Sequence, residues 1–174
     1  MRRSIVGLAS CACLLLTAAE AGEQPGQWYV APMLSAFYAD SSRNADDDFG
    51  AAIALGKANE HFNVELHGHY YDLGGFNGTE IWGIGVDFVR VFYRPERISA
   101  FLLAGGGYTK GEQDVEDDNQ NSYGNFGFGL TTDFKADGTG PALRTEIRYR
   151  LDFQDPTEND WIGSVGVQIP FGGE

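Results

Sequence analysis

From Ala142 to Phe153 the chain reads ALRTEIRYRLDF, and every second position is apolar or aromatic apart from one threonine: Leu143, Thr145, Ile147, Tyr149, Leu151 and Phe153. The positions between them, after Ala142, are Arg144, Glu146, Arg148, Arg150 and Asp152. A period of two sets successive side chains on opposite faces of a β-strand, whereas a helix would scatter these charges around its circumference. The stretch therefore has one oily face and one densely charged face. Which of them is wet decides what the molecule is.

The same pattern predicts seven further strands. Gln27 to Tyr38 contains Pro32 and its faces are poorly separated. Phe49 to Lys57 puts Phe49, Ala51, Ile53 and Leu55 on one side. His61 to Tyr71 sets Phe62, Val64, Leu66, Gly68 and Tyr70 against Asn63, Glu65, His67, His69 and Tyr71. Glu80 to Tyr93 sets Trp82, Ile84, Val86 and Phe88 against Gly83, Gly85 and Asp87. Ile98 to Thr109 is apolar on both sides, so its orientation stays open. Tyr123 to Phe134 sets Phe126, Phe128 and Leu130 against Gly127, Gly129, Thr131 and Asp133. Trp161 to Phe171 alternates Trp161, Gly163, Val165, Val167, Ile169 and Phe171 with Ile162, Ser164, Gly166 and Gln168.

The intervening segments alternate in length. Ala39–Asp48, Asp72–Thr79, Lys110–Ser122 and Gln154–Asp160 are the longer ones; Ala58–Glu60, Arg94–Arg97 and Lys135–Pro141, with Asp137-Gly138 as a turn signal, are the tighter ones. That order suits an up-and-down meander with both termini at the short-turn end. The expected fold is all-β, an eight-stranded antiparallel up-and-down barrel.

Alternation alone fits a soluble barrel, oily inside, as well as a membrane barrel, oily outside. The strands exceed the five or six residues of an average globular strand and match the roughly nine to eleven of a tilted membrane-spanning one. Aromatics gather towards strand ends, at Trp28, Tyr29, Tyr38, Tyr70, Tyr71, Phe92, Tyr93, Tyr108, Tyr123, Phe134, Trp161 and Phe171, as interfacial girdles require. A secreted soluble ligand-binding barrel is the alternative.

The N-terminus adds an export address. Arg2-Arg3, an apolar run from Ile5 to Leu16, and Ala19-Glu20-Ala21 have the form of a secretory signal cleaved after Ala21. This divides the chain into a signal peptide, 1–21, and a barrel domain, 22–174. Leu8-Ala9-Ser10-Cys11 has the look of a lipid-attachment site, but Cys11 lies within the apolar run. Cleavage after Ala21 removes both cysteines, so disulfides and thiolate metal sites are not expected in the mature chain. It also removes Arg2, Arg3 and Glu20, taking 12 basic and 25 acidic residues to 10 and 24, a net charge of −14. So acidic a chain is a poor nucleic-acid binder. With 24 glycines and 23 aromatic residues, few helix-forming segments survive.

The signal peptide, the A-L-R-T-E-I-R-Y-R strand at Ala142–Arg150, the V-G-V-Q-I-P-F ending at Val165–Phe171 and the loop alternation resemble the OmpA-type superfamily of small outer-membrane β-barrels. The resemblance implies an integral protein of the Gram-negative cell outer membrane. Its partners would be outer-membrane lipids and lipopolysaccharide, with the barrel-assembly machinery acting during biogenesis; a monomer is expected. Larger members carry a peptidoglycan-binding domain, which a chain stopping three residues after Phe171 would lack. Gly172-Gly173-Glu174 displaces the usual terminal aromatic.

Inside such a barrel Glu65, His67, His69, Asp87, Asp133, Arg144, Glu146, Arg148, Arg150 and Asp152 share a narrow lumen. Buried charges persist only when paired and hydrogen-bonded, so a salt-bridged plug is expected. The resemblance adds a gate: an exchange of Arg–Glu partners would open a thin water path. His67-x-His69 beside Glu65 has a spacing that could serve zinc, but two ordinary lumen histidines in a polar network are the better reading, and no metal or other cofactor is expected. Some eight-stranded barrels of this kind modify lipid A. Nucleophilic catalysis needs a Ser held by a His, and Ser99 and Ser164 could meet one only through tertiary structure, so no enzyme is expected. The acidic stretches Asp46–Asp48 and Glu112–Asp118 read as solvated loops, or as sites where divalent cations bridge to lipopolysaccharide phosphates. The D-x-E-x-D run at Asp114–Asp118 is only a weak signal for a calcium loop, since Asn119 stands where its glycine belongs and the downstream Glu is missing. Lys57, Arg94, Arg97 and Lys135 mark the opposite end, where Arg90 could reach headgroups.

Overall fold

A computed structural model describes residues 26–39, 48–59, 61–73, 79–92, 97–113, 119–135, 140–153 and 157–172. They form eight strands: β1 (Trp28–Tyr38), β2 (Asp48–Lys57), β3 (Asn63–Leu73), β4 (Thr79–Phe92), β5 (Ile98–Gln113), β6 (Asn119–Asp133), β7 (Ala142–Asp152) and β8 (Glu158–Phe171). Each pairs antiparallel with its sequence neighbours, and β1 pairs with β8, so the sheet is a closed barrel in chain order. Both ends of the described chain lie at one rim, as an even number of up-and-down strands requires.

The register sets the strand tilt. Trp28 pairs with Lys57, and the circuit continues through Val64, Phe88, Ala104, Phe126, Tyr149 and Trp161 before arriving at Tyr38, ten positions above its start. A stagger of that size in eight strands goes with a tilt of roughly 40° and an interior just wide enough for side chains to fill. The ladder between β1 and β8 runs unbroken except at Ala31 and Pro32, where proline has no N–H to give.

The faces are those of a barrel built for lipid. Arg148 is 5% exposed and its neighbour Ile147 43%. Leu34, Ile53, Leu66, Ile84, Leu102, Phe128 and Val165 all point outward, while Glu65, Asp87, Arg144, Glu146, Arg150 and Asp152 are buried. With no water in hydrocarbon to satisfy the backbone, closure of the sheet pairs every strand edge. Among the aromatics, Tyr38, Tyr70, Trp82, Tyr108 and Trp161 face outward near the far rim, and Trp28, Phe62, Phe134 and Phe171 near the rim that holds the termini. Phe126, Tyr149 and Trp161 form a ladder of rings with centroids 5.2 and 4.9 Å apart.

Three expectations need correction. Tyr29, Tyr71 and Tyr123 do not join the girdles; they are buried in the lumen. Each stands next to an outward position, and the pleat turns adjacent residues to opposite faces. The long–short alternation of connections is also weaker than the pattern suggests, because strands continue into the segments read as loops. β5 and β6 remain paired through Lys110↔Gln120 and Gly111↔Asn119, and β8 begins at Glu158. Beyond the hydrocarbon a ladder needs no oily face, so polar residues extend it without breaking its hydrogen bonds. Finally, β3 starts at Asn63, leaving His61 and Phe62 in the turn.

The segment 1–21, the acidic run 114–118, Asp46 and Asp47, and Arg94 lie outside the described residues. Asp48 opens β2, its Oδ1 accepting the Phe49 N–H at 2.7 Å. At the terminal rim Lys57 stands over the Trp28 ring at 5.4 Å, and Arg90 Nη1 donates to the His61 carbonyl. Arg97 and Lys135 are exposed there. Arg97 takes a left-handed φ of 62° in the turn between β4 and β5, and its carbonyl accepts the Asp133 N–H at 2.8 Å.

Candidate functional site

The alternation of β7 delivers Arg144, Glu146, Arg148, Arg150 and Asp152 to the lumen as a single column, because residues two apart share a face. Arg144 binds Glu65 of β3 through two parallel bonds, Nη1 to Oε1 at 2.6 Å and Nη2 to Oε2 at 3.0 Å. Its Nε donates to Glu146 Oε2 at 2.9 Å, and Nη1 also reaches Gln168 Oε1 of β8 at 3.3 Å. Tyr29 of β1 donates its hydroxyl to Glu65 Oε1 at 2.6 Å. The guanidinium lies 4.8 Å over the Phe101 ring of β5.

Glu146 is shared. Its Oε1 accepts from Arg148 Nε at 2.6 Å, so one carboxylate joins two arginines of its own strand. Arg148 Nη1 crosses to Asp87 Oδ2 of β4 at 2.5 Å, and Asn125 Nδ2 of β6 donates to Asp87 Oδ1 at 3.0 Å. His67 Nδ1 lies 3.0 Å from Asp87 Oδ2, but it lacks the alignment of a hydrogen bond. Its Nε2 meets the Tyr123 hydroxyl at 3.0 Å. Higher in the lumen, Arg150 Nη2 donates to Asp152 Oδ2 at 2.8 Å and Nη1 approaches His69 Nε2 at 3.4 Å. Arg150 Nε is 3.6 Å from Asp160 Oδ2, and its guanidinium stacks 5.3 Å from Phe37 and 5.5 Å from Tyr123.

All eight predicted site residues, Glu65, His67, His69, Asp87, Arg144, Glu146, Arg148 and Arg150, thus stand in one connected lumen cluster, joined by hydrogen bonds and by the stacked rings of His67 and His69, with Asp152 bonded to Arg150. Asp133 is half-buried at the terminal rim, away from this cluster. Pattern reading missed Tyr29, Tyr123, Asn125, Gln168 and Asp160. For Gln168 the parity of β8 already placed it inward; Asp160 was hidden in a segment that reads as loop.

The two imidazoles stack with centroids 5.5 Å apart and give their Nε2 atoms to Tyr123 and Arg150. Among the described residues no group of three or more His, Cys, Asp or Glu is placed to hold a metal ion. Ser164 is buried and its Oγ pairs with Ser35 Oγ at 2.8 Å, and Ser99 is buried too. Chemically the arrangement is a set of fixed, mutually neutralising charges across a narrow bore.

The fold has solved counterparts. Neisserial surface protein A is 16% identical, with a TM-score of 0.71 over 88% of this chain and 100% of that one. The N-terminal β-barrel domain of Pseudomonas aeruginosa OprF is 18% identical, with a TM-score of 0.55 over 84% and 99%. Ail, the attachment invasion locus protein of Yersinia pestis, solved with the heparin analogue sucrose octasulfate, is 13% identical, with a TM-score of 0.53 over 84% and 100%. At these identities the likeness is one of fold. No curated protein matches the chain by sequence. The model of one family does match, across residues 7–171, and the chain belongs to it: the outer membrane protein β-barrel domain family.

Proposed function

We propose that residues 1–21 are removed on export and that the remainder inserts into the outer membrane as a monomeric barrel with a structural or interaction role. Its termini face the periplasm, and its lumen is a narrow path for small solutes, held shut by the Arg144 cluster. The observation that carries the gate is Arg144 itself. One guanidinium holds Glu65 and Glu146 at once, with Gln168 as a third acceptor. Because Arg144 spans both carboxylates, it can release one and keep its own charge paired with the other, while Glu65 retains the Tyr29 hydroxyl and Glu146 retains Arg148. An interaction with lipopolysaccharide at the far rim belongs to the same reading, since the outward girdles lie in the bilayer interface.

The absence of catalysis is part of this proposal. His67 and His69 point into the lumen, whereas a lipid A-modifying site must open to the lipid face.

Fractionation and heat-modifiability test the membrane assignment: the folded barrel should partition with outer membrane and migrate differently in gels before and after boiling. Planar-bilayer recording tests the gate. Arg144→Ala and Glu146→Ala should raise the open probability over wild type. Silent traces in wild type and both variants would reduce the cluster to a plug.

A further inference from the structure

Beside Arg148 and Arg150 the lumen contains a cavity with ≈ 20 Å³ of space open to water. Its walls include His67 and His69 of β3, Asn125 of β6, and Arg148, Arg150 and Glu146 of β7. One water molecule needs about 10–15 Å³ by this measure and two to four polar partners. Four of the lining residues bring a buried atom with no hydrogen-bond partner among the described residues. Two of these atoms, His67 Nδ1 and Arg150 Nε, lie 3.0 and 3.6 Å from the carboxylates of Asp87 and Asp160; the other two are Arg148 Nη2 and Asn125 Oδ1, on residues 5% and 7% exposed. The other nitrogens of Arg148 are committed to Glu146 and Asp87, and the Asn125 amide is oriented by its bond to Asp87 Oδ1. Turning that amide over would set its oxygen against a carboxylate oxygen.

We infer that this cavity is a built site for a single internal water, which accepts from Arg148 Nη2 and donates to Asn125 Oδ1. The pairing of an unmet donor with an unmet acceptor selects the ligand. A halide would satisfy the guanidinium but face the Asn125 carbonyl and the Glu146 carboxylate. A metal cation would face two arginines. Water alone serves both atoms, and an unsatisfied charged donor in this interior is costly enough to hold it. The site also has a place in the network. Hydrogen bonds from Arg148 run down to Glu146 and Asp87, and those from Arg150 run up to Asp152 and His69. The water occupies the seam between these two levels and insulates two like charges two residues apart on one strand. The inference is independent of whether the lumen ever opens.

Crystals of the full barrel grown from a lipid phase, one set in chloride and one in bromide, test it directly. A single density peak within about 3.2 Å of both Arg148 Nη2 and Asn125 Oδ1, with no anomalous signal in bromide, is the expected result. A dry cavity overturns the inference, and so does a bromide peak, which would make the site an anion site. In Ala52→Leu, whose longer side chain enters the cavity from β2, the peak should vanish while the barrel stays heat-modifiable; a peak that persists there places the water elsewhere. Should that variant fail to fold, the two wild-type data sets still decide.

Discussion

Arg144 and Glu65 meet across the lumen as a two-pronged pair, at 2.6 and 3.0 Å, though they are 79 positions apart in the chain. Both are buried, so neither charge has bulk water to replace a lost partner. Removing one partner of a buried pair costs about 3–5 kcal/mol, whereas replacing both with apolar groups is often close to neutral. Arg144→Ala should therefore lower the urea midpoint of the refolded barrel by the larger amount. Arg144→Met combined with Glu65→Leu should recover most of it, because Glu146 keeps Arg148 as partner. A double variant as unstable as the sum of its parts would show that the pair is not coupled.

The lipid face has its own ledger. Ile147 lies midway along β7 and points outward, and Leu143, four residues nearer the terminal rim, does the same. An arginine at the bilayer midplane costs about 2–4 kcal/mol in a membrane barrel and about 0–1 near the interface. Ile147→Arg should thus destabilise markedly more than Leu143→Arg when unfolding is followed in lipid vesicles. Equal, small effects would mean that this face is wet, and the membrane assignment would fall with it.

Room in the lumen comes from glycine. A Cβ on Gly56 would lie 2.1 Å from the Tyr29 ring, and one on Gly129 would lie 2.3 Å from Phe101. These two rings flank Arg144: Tyr29 donates to its partner Glu65, and Phe101 lies under its guanidinium. Gly56→Val should force Tyr29 out of place, costing about 1–3 kcal/mol through overpacking and loosening the Glu65 contact. Gly163→Ala is the control, since nothing lies within 4 Å of the added atom. It should be neutral or stabilise by up to about 1 kcal/mol. The check is the pair of urea midpoints measured side by side.

These contrasts also explain what could be read from the chain alone. On β7 every lumen position from Arg144 to Asp152 is charged, so parity alone named the site. β3 and β4 were legible for the same reason, through Glu65, His67, His69 and Asp87. β1 and β5 were not. Their inward faces carry Ala31, Met33 and Phe37, and Phe101 and Leu103, which form apolar patches inside the lumen and erase the contrast with the lipid side. Those patches are where arginine stems and guanidinium planes rest, Arg150 over Phe37 and Arg144 over Phe101. Tyrosine is ambiguous by nature, equally at home in a girdle and beside a buried carboxylate. Only the pleat separates Tyr29 from Trp28.

The extension of β5 and β6 is the feature least visible in the sequence, and it is open to direct measurement. Composition from Lys110 to Ser122 is polar and acidic, the signature of a loop. The backbone nevertheless continues the antiparallel register through Tyr108↔Ser122, Thr109↔Asn121 and Lys110↔Gln120. A ladder anchored in a closed barrel below it starts with its entropy of registration already met, so each added pair needs only its own hydrogen bonds. Amide exchange in lipid nanodiscs should show strong protection in this stretch for the amides aimed into the ladder, comparable to those near Phe101 and Gly129 and fading only beyond Gly111 and Asn119. Rapid exchange from Thr109 onward would restore the loop and shorten both strands to the bilayer's own thickness.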